Sequence, residues 1–253
     1  MDLYTELGVT PVINAAGTLT SLGGSLMERE VLEAMAAAGR SFVEMDQLHQ
    51  AAGRRIAGLV GVPAAHVCDG AAAGIALMAA ACMTGTDREA IRRLPDTTGL
   101  RDVFVVQTSH ANPFDQSLRV AGGRFLRIEP DAELLRQAVV RPDVAGVFFT
   151  HAWFCMGPSL ELAQVARIAH EAGVPVIVDA AAEVPPLENL ARFVNEGADL
   201  VTFSGGKAIG GPQASGFIVG RPDLVEACRL NDCPNMGIGR PMKVGKEEIA
   251  GLV

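Results

Sequence analysis

Three stretches hold residue types that could do chemistry together. In VTFSGGKAIGGPQASG (201–216) a single lysine, Lys207, has two glycines before it and two more shortly after. An amine of this kind can form a Schiff base with an aldehyde once its neighbours lower its pKa. Ser204 precedes it by three residues, a spacing at which a hydroxyl can hydrogen-bond a phosphate. Asp179 closes the apolar run PVIVDA (175–180). In an open α/β sheet, ligands bind beyond the carboxyl ends of strands, where such a carboxylate can be half buried and aimed at them. Taken alone, an Asp there serves equally well as a cap or turn acid. In CDGAAAG (68–74), Gly70, Ala71 and Ala72 open an apolar helix. Its unpaired N–H groups and positive dipole end make a ready anion site. The bland reading is a close-packed helix start. Glycine is kept where the backbone must turn sharply or let something approach, so those around Lys207 are read as letting a ligand lie against the backbone.

These residues need strands and helices to place them. Apolar runs at 103–107, 123–128, 145–150, 174–180, 200–204 and 216–220 predict strands. Several are apolar at successive positions, as in strands covered on both faces. Helical patterns lie between them. The stretch 159–173 has Ser159 as predicted N-cap and Gly173 as C′ residue. Stretches 130–140 and 185–197 share its grammar, two more helices fall near Met27–Ala38 and Asp46–Val60, and 71–83 reads as a buried helix. The alternation predicts an α/β fold with a mixed, mostly parallel sheet flanked by helices. Runs 200–204 and 216–220 lie only eleven residues apart, too few for a crossover helix. They are expected to pair antiparallel with Lys207 in their connection.

Composition bounds the partners. The net charge of −8, with no basic run, argues against a nucleic-acid surface. Five cysteines without a CxxC pair suggest neither a disulfide framework nor a zinc site, so no metal is expected. Run 71–83 is too short to span a bilayer, and the first ten residues lack the apolar core of a signal peptide. A cytoplasmic protein without a membrane partner is expected. Residues 1–240 read as one large domain with an N-terminal arm. The closing GKEEIAGLV reads as the first turns of a helix, so 241–253 is expected to open a further C-terminal domain.

In chain order, a phosphate-binding helix start, an Asp at a strand end and a Ser-x-x-Lys among glycines describe a cradle for pyridoxal 5'-phosphate. The phosphate wants helix N–H groups and a hydroxyl, the ring nitrogen a carboxylate, the aldehyde an amine. The companion motifs of penicillin-recognising Ser-x-x-Lys enzymes are absent, and the P-loop pattern does not fit. From VINAAGTLTSLGGSLM through DGAAAGIAL, VPVIVDAAAEVPP and TFSGGKAIGGPQASG to GRPMKVGKEE, the chain resembles the selenocysteine synthase (SelA)-like branch of fold-type I pyridoxal-phosphate enzymes, which includes D-glucosaminate-6-phosphate ammonia-lyases.

The resemblance implies a cofactor-binding large domain in a homodimer or larger homo-oligomer. Lys207 would bind the cofactor and act as base at the substrate's α-carbon, with Asp179 on the ring nitrogen. Ser204 and the backbone of Gly70, Ala71 and Ala72 would hold the phosphate. Ala181 would pack on the ring, His110 would stack on it or lie in a surface loop, and Asn14 and Arg240 would face substrate. Asp69 stands where a hydroxyl residue is common. The implied reaction is a lyase of ammonia-lyase type on an amino acid or amino sugar acid: loss of the α-proton, β-elimination and release of ammonia. Racemisation, aldol cleavage, selenium transfer and a non-catalytic scaffold are the alternatives.

Overall fold

Most of the runs of consecutive apolar residues become strands buried on both faces. A computed structural model describes residues 3–155 and 157–253. Its strands are β1 (Ala64–Cys68), β2 (Val103–Gln107), β3 (Arg124–Ile128), β4 (Val144–Thr150), β5 (Val176–Asp179), β6 (Leu200–Ser204) and β7 (Gly216–Gly220). They form one sheet in the order β1-β7-β6-β5-β4-β2-β3. Strand β7 runs antiparallel to both neighbours and every other pairing is parallel. The expected mixed, mostly parallel sheet is what forms, including the antiparallel β6–β7 pair around Lys207.

The helices are α1 (Leu3–Glu6), α2 (Arg29–Ala38), α3 (Met45–Val60), α4 (Gly70–Thr84), α5 (Arg88–Arg93), α6 (Gln116–Val120), α7 (Ala132–Val139), α8 (Leu162–Glu171), α9 (Asn189–Asn195), α10 (Pro222–Asn231) and α11 (Lys246–Leu252). One apolar layer joins Ile56, Leu135, Val165, Ile168, Phe193 and Ile249 to one face of the sheet. The other joins Leu77, Met78, Leu118 and Cys228 to Phe104 and Phe148. Each such buried side chain contributes about 1.5–3 kcal/mol relative to exposure. Helix α4 is buried nearly all round, as its unbroken apolar run predicts. It lies hard on the sheet: a Cβ on Gly74 would fall 2.2 Å from Thr202 Oγ1.

Two local expectations are corrected. Strand β1 was not foreseen, because AAHVC holds alanines and a histidine where β-branched and aromatic residues signal a strand. Helix α8 begins at Leu162 with Glu161, not Ser159, at the N-cap position. The preceding segment is tied to the sheet instead, Leu160 N–H donating to Gln107 Oε1 at 2.6 Å. Gly173 does end the helix left-handed, at φ +69°. No helix among the described residues is long and apolar enough to cross a membrane.

Candidate active site

Most of the candidate groups sit at one edge of the sheet because the parallel strands all end there. Asp179 is the last residue of β5, paired with Thr150 of β4 and Thr202 of β6. Ser204 ends β6, Lys207 lies in the turn beyond it, and Gly70 starts α4. His110 closes a 3-10 turn (Thr108–His110) that follows β2 directly.

Asp179 is buried, and its Oδ1 accepts from Ala181 N–H at 3.0 Å. Burial pushes its carboxyl up to about 6, opposed by the Ala181 N–H and the charge of Lys207. Lys207 is half-buried. Burial lowers its pKa, while Asp179 and then Glu183 pull it back up. An amine biased toward its neutral, nucleophilic form thus feels two carboxylates. His110 is not a surface residue: it is 2 % exposed and packs edge-on against Phe149, ring centroids 4.4 Å apart. Burial, then the neighbouring His151, push it down to about 4. Its Nδ1 has no partner among the described residues.

At the anion end, Gly70 has φ +80°, which only glycine adopts without strain. Asp69 occupies the N-cap position, yet its side chain caps nothing. The first N–H groups of α4 are therefore not taken by it. Burial, followed by the charges of Asp232 and Glu248, raises the Asp69 pKa.

The two glycines before Lys207 are also needed by the chain's own packing. A Cβ on Gly205 would lie 2.2 Å from Ser215 Oγ, and one on Gly206 would lie 2.5 Å from Gln213 Cα. The connection folds back on itself, and the chain's own backbone makes the close approach. Gly216 likewise presses on α4, its Cβ position 2.8 Å from Gly70 Cα. The N-terminal arm docks on the same loop through Ser25 N–H to Gly206 O at 2.9 Å and Gln213 Nε2 to Thr20 O at 3.0 Å.

Asn14 and Arg240 stay outside this group. Asn14 is exposed and builds a turn, donating to Gly17 O and accepting from Ala16 N–H. Arg240 is exposed beside Cys233. Ala181 is half-buried two residues past Asp179. Sequence reasoning passed over His151 and Glu183, whose Nδ1 and Oε2 lie 2.9 Å apart. The signal was available: His151 follows the apolar run AGVFFT as directly as Asp179 ends its own.

A buried carboxylate, a partly desolvated amine, an unpartnered ring nitrogen and uncapped helix N–H groups along one edge fit pyridoxal phosphate. A cleft of about 230 Å³ between α3, β1 and α10, lined by His49, Arg54, His66 and Arg229, holds none of these groups. Among the described residues, no cluster of His, Cys, Asp or Glu could hold a metal ion.

The family model for SelA, L-seryl-tRNA selenium transferase, matches residues 151–252. A 5'-C-glycyluridine monooxygenase-decarboxylase from Streptomyces sp is 42% identical, over 99% of this chain and 63% of its own length. The D-glucosaminate-6-phosphate ammonia lyase of Salmonella typhimurium is 34% identical, over 100% of this chain and 68% of its own. The chain thus spans about two thirds of these relatives. A solved structure of D-glucosaminate-6-phosphate ammonia-lyase superposes with a TM-score of 0.92, at 34% identity over 100% of this chain and 68% of that one. Sphingomonas wittichii serine palmitoyltransferase, at 17% identity, shares the fold with a TM-score of 0.60 over 90% of this chain and 57% of its own.

Proposed function

Since the chain belongs to the SelA-like branch of fold-type I pyridoxal-phosphate enzymes, we propose that it is the cofactor-binding domain of a lyase. Its substrate would be an amino acid or amino sugar acid, which loses its α-proton, undergoes β-elimination and releases ammonia. One observation carries this reading: Lys207 and Asp179, on adjacent strand ends, feel each other's charge in a buried setting beside the uncapped start of α4.

Pyridoxal phosphate, when bound, supplies an aldehyde for the amine and a ring that draws electrons from the substrate's α-carbon. Lys207 Nζ would hold the aldehyde and later take the proton from the α-carbon. The Asp179 carboxylate would keep a proton on the ring nitrogen, and a positive ring beside it would favour the ionised form that burial disfavours. Gly70, Ala71 and Ala72 N–H groups with Ser204 would hold the phosphate. Ala181 and His110 would pack against the ring. Asn14 and Arg240 face substrate from a second copy of the chain, since neither reaches these groups in its own. A small molecule is therefore the partner. Transfer to a tRNA is disfavoured by the net charge of −8 and the absence of a basic run.

The test is the visible absorption spectrum after adding pyridoxal phosphate, for the wild type and for Lys207→Ala. A band in the wild type that Lys207→Ala lacks is expected; no band in either overturns the proposal. The 42% identity to a monooxygenase-decarboxylase favours a second reading, oxidation with loss of CO₂ from the same α-carbon. Oxygen uptake with CO₂ release, in place of ammonia release without oxygen, would select it.

A further inference from the structure

Two groups at the strand-end edge are given no role in the reading above. His151 follows Thr150, the residue of β4 paired with Asp179, and its own N–H donates to Asp179 O at 2.9 Å. Its Nδ1 meets Glu183 Oε2 at 2.9 Å. The Glu183 side chain is 17% exposed and that of His151 37%. Phe193 packs on the imidazole, ring centroids 5.0 Å apart. We propose that His151, oriented by Glu183, gives a proton to the oxygen that leaves the substrate's β-carbon. This inference rests on the lyase reading above.

The arrangement dictates which nitrogen acts. A carboxylate only accepts, so Nδ1 carries the hydrogen directed at Glu183. Nε2 is left without a partner among the described residues, on a ring open enough to meet solvent or substrate. Glu183 fixes the ring's direction, the orienter of an acid–orienter pair. Strand order supplies the spacing: Asp179 on β5 lies between His151, beyond β4, and Lys207, beyond β6. A base and an acid therefore flank the carboxylate assigned to the ring. His110, the other histidine at this edge, is buried against Phe149.

The step balances without a further reactant. Lys207 Nζ takes the α-proton, and the electron pair of that C–H bond becomes the second bond between α- and β-carbon. The β-carbon–oxygen bond breaks, and the oxygen leaves with its pair, takes the proton from His151 Nε2 and departs as water. The imidazole, still hydrogen-bonded to Glu183, regains a proton from solvent. The competing route has Lys207 hand the same proton to the leaving oxygen.

The experiment compares His151→Ala, His151→Gln and Glu183→Gln with wild type, using serine and β-chloroalanine as probes. Chloride leaves without a proton, so only serine should need His151. Exchange of the α-hydrogen in D₂O, followed by NMR, reads the Lys207 step separately. The expected result for both His151 variants is α-exchange within about twofold of wild type, elimination from serine down about 10²-fold or more, and elimination from β-chloroalanine nearly unchanged. Glu183→Gln keeps an acceptor but not the charge and should lose about tenfold on serine alone. Equal losses on both probes, or lost α-exchange in both His151 variants, would make the pair structural. Unchanged elimination from serine would assign the proton to Lys207. If wild type exchanges the α-hydrogen but eliminates from neither probe, the lyase reading itself falls, and the proposal with it.

Discussion

At the scale of single residues, Asp179 shows how a site conflicts with stability. Its carboxyl is raised to about 6 by burial, against an ordinary value near 4. With the folded value above the unfolded one, protonation favours the fold. That contribution is complete below about pH 4 and is lost as the pH rises through about 6. A shift of about two units corresponds to about 3 kcal/mol. Asp179→Asn is therefore expected to raise the neutral-pH stability of the cofactor-free protein by about 1–3 kcal/mol and to flatten its pH dependence between 4 and 6. It should also weaken pyridoxal phosphate binding. Urea melts at pH 4 and pH 7 check the first part and cofactor titration the second. Equal stability of the two proteins at pH 7 would show that the carboxylate is not strained. Asp179 and Lys207 were legible because each stands beside a strand whose apolar run marks its end. Glu183 was not, because its role depends on His151, 32 residues away in sequence and 2.9 Å away in space.

At the scale of elements, helix α4 is held by contacts that its own sequence does not announce. Gly74 reads as a poor helix residue, and Ala there would gain about 1 kcal/mol in propensity. Against that, its Cβ would fall 2.2 Å from Oγ1 and 3.0 Å from Cβ of Thr202, a fully buried residue of β6. Overpacking of this kind costs about 1–3 kcal/mol, and the contact is with the base of a fully buried side chain that has little room to give. Gly74→Ala is expected to destabilise the protein by up to about 2 kcal/mol net and to weaken phosphate binding at the start of α4. Thr202→Ala in the same chain should recover most of the loss, a coupling that a denaturation double-mutant cycle measures. No recovery would mean that the clash is relieved elsewhere. The same logic explains what the sequence hid. Six strands were readable from apolar runs, but β1 was not. The tight glycines at 205, 206 and 216 answer to partners distant in sequence or folded back by the loop.

At the scale of the whole molecule, the surface is uneven. Ile13, Leu26 and Phe42 are almost fully exposed, and Val12 and Leu32 lie open in the same N-terminal region. Large apolar side chains this exposed are expected to be covered by a partner. The acidic remainder of the chain keeps this exposure from being general stickiness. The arm rests on the Lys207 loop through Thr20 and Ser25, so a second copy covering it would approach the site from outside. Asn14 follows Ile13 directly, which gives that copy a polar group to offer beside its apolar anchor. Wild-type protein is expected to sediment as a dimer or larger at micromolar concentration, with a melting temperature that rises with concentration. Ile13→Asp combined with Phe42→Asp places charges in the apolar region and should yield a monomer. That monomer should keep the Lys207-dependent absorption band, because the groups proposed to hold the cofactor all lie within one chain, and lose turnover, because Asn14 would no longer reach across. Sedimentation velocity and the spectrum of the same sample separate the outcomes. A monomeric wild type that turns over substrate would remove the second copy from the site and leave Asn14 as the turn-forming residue its hydrogen bonds make it.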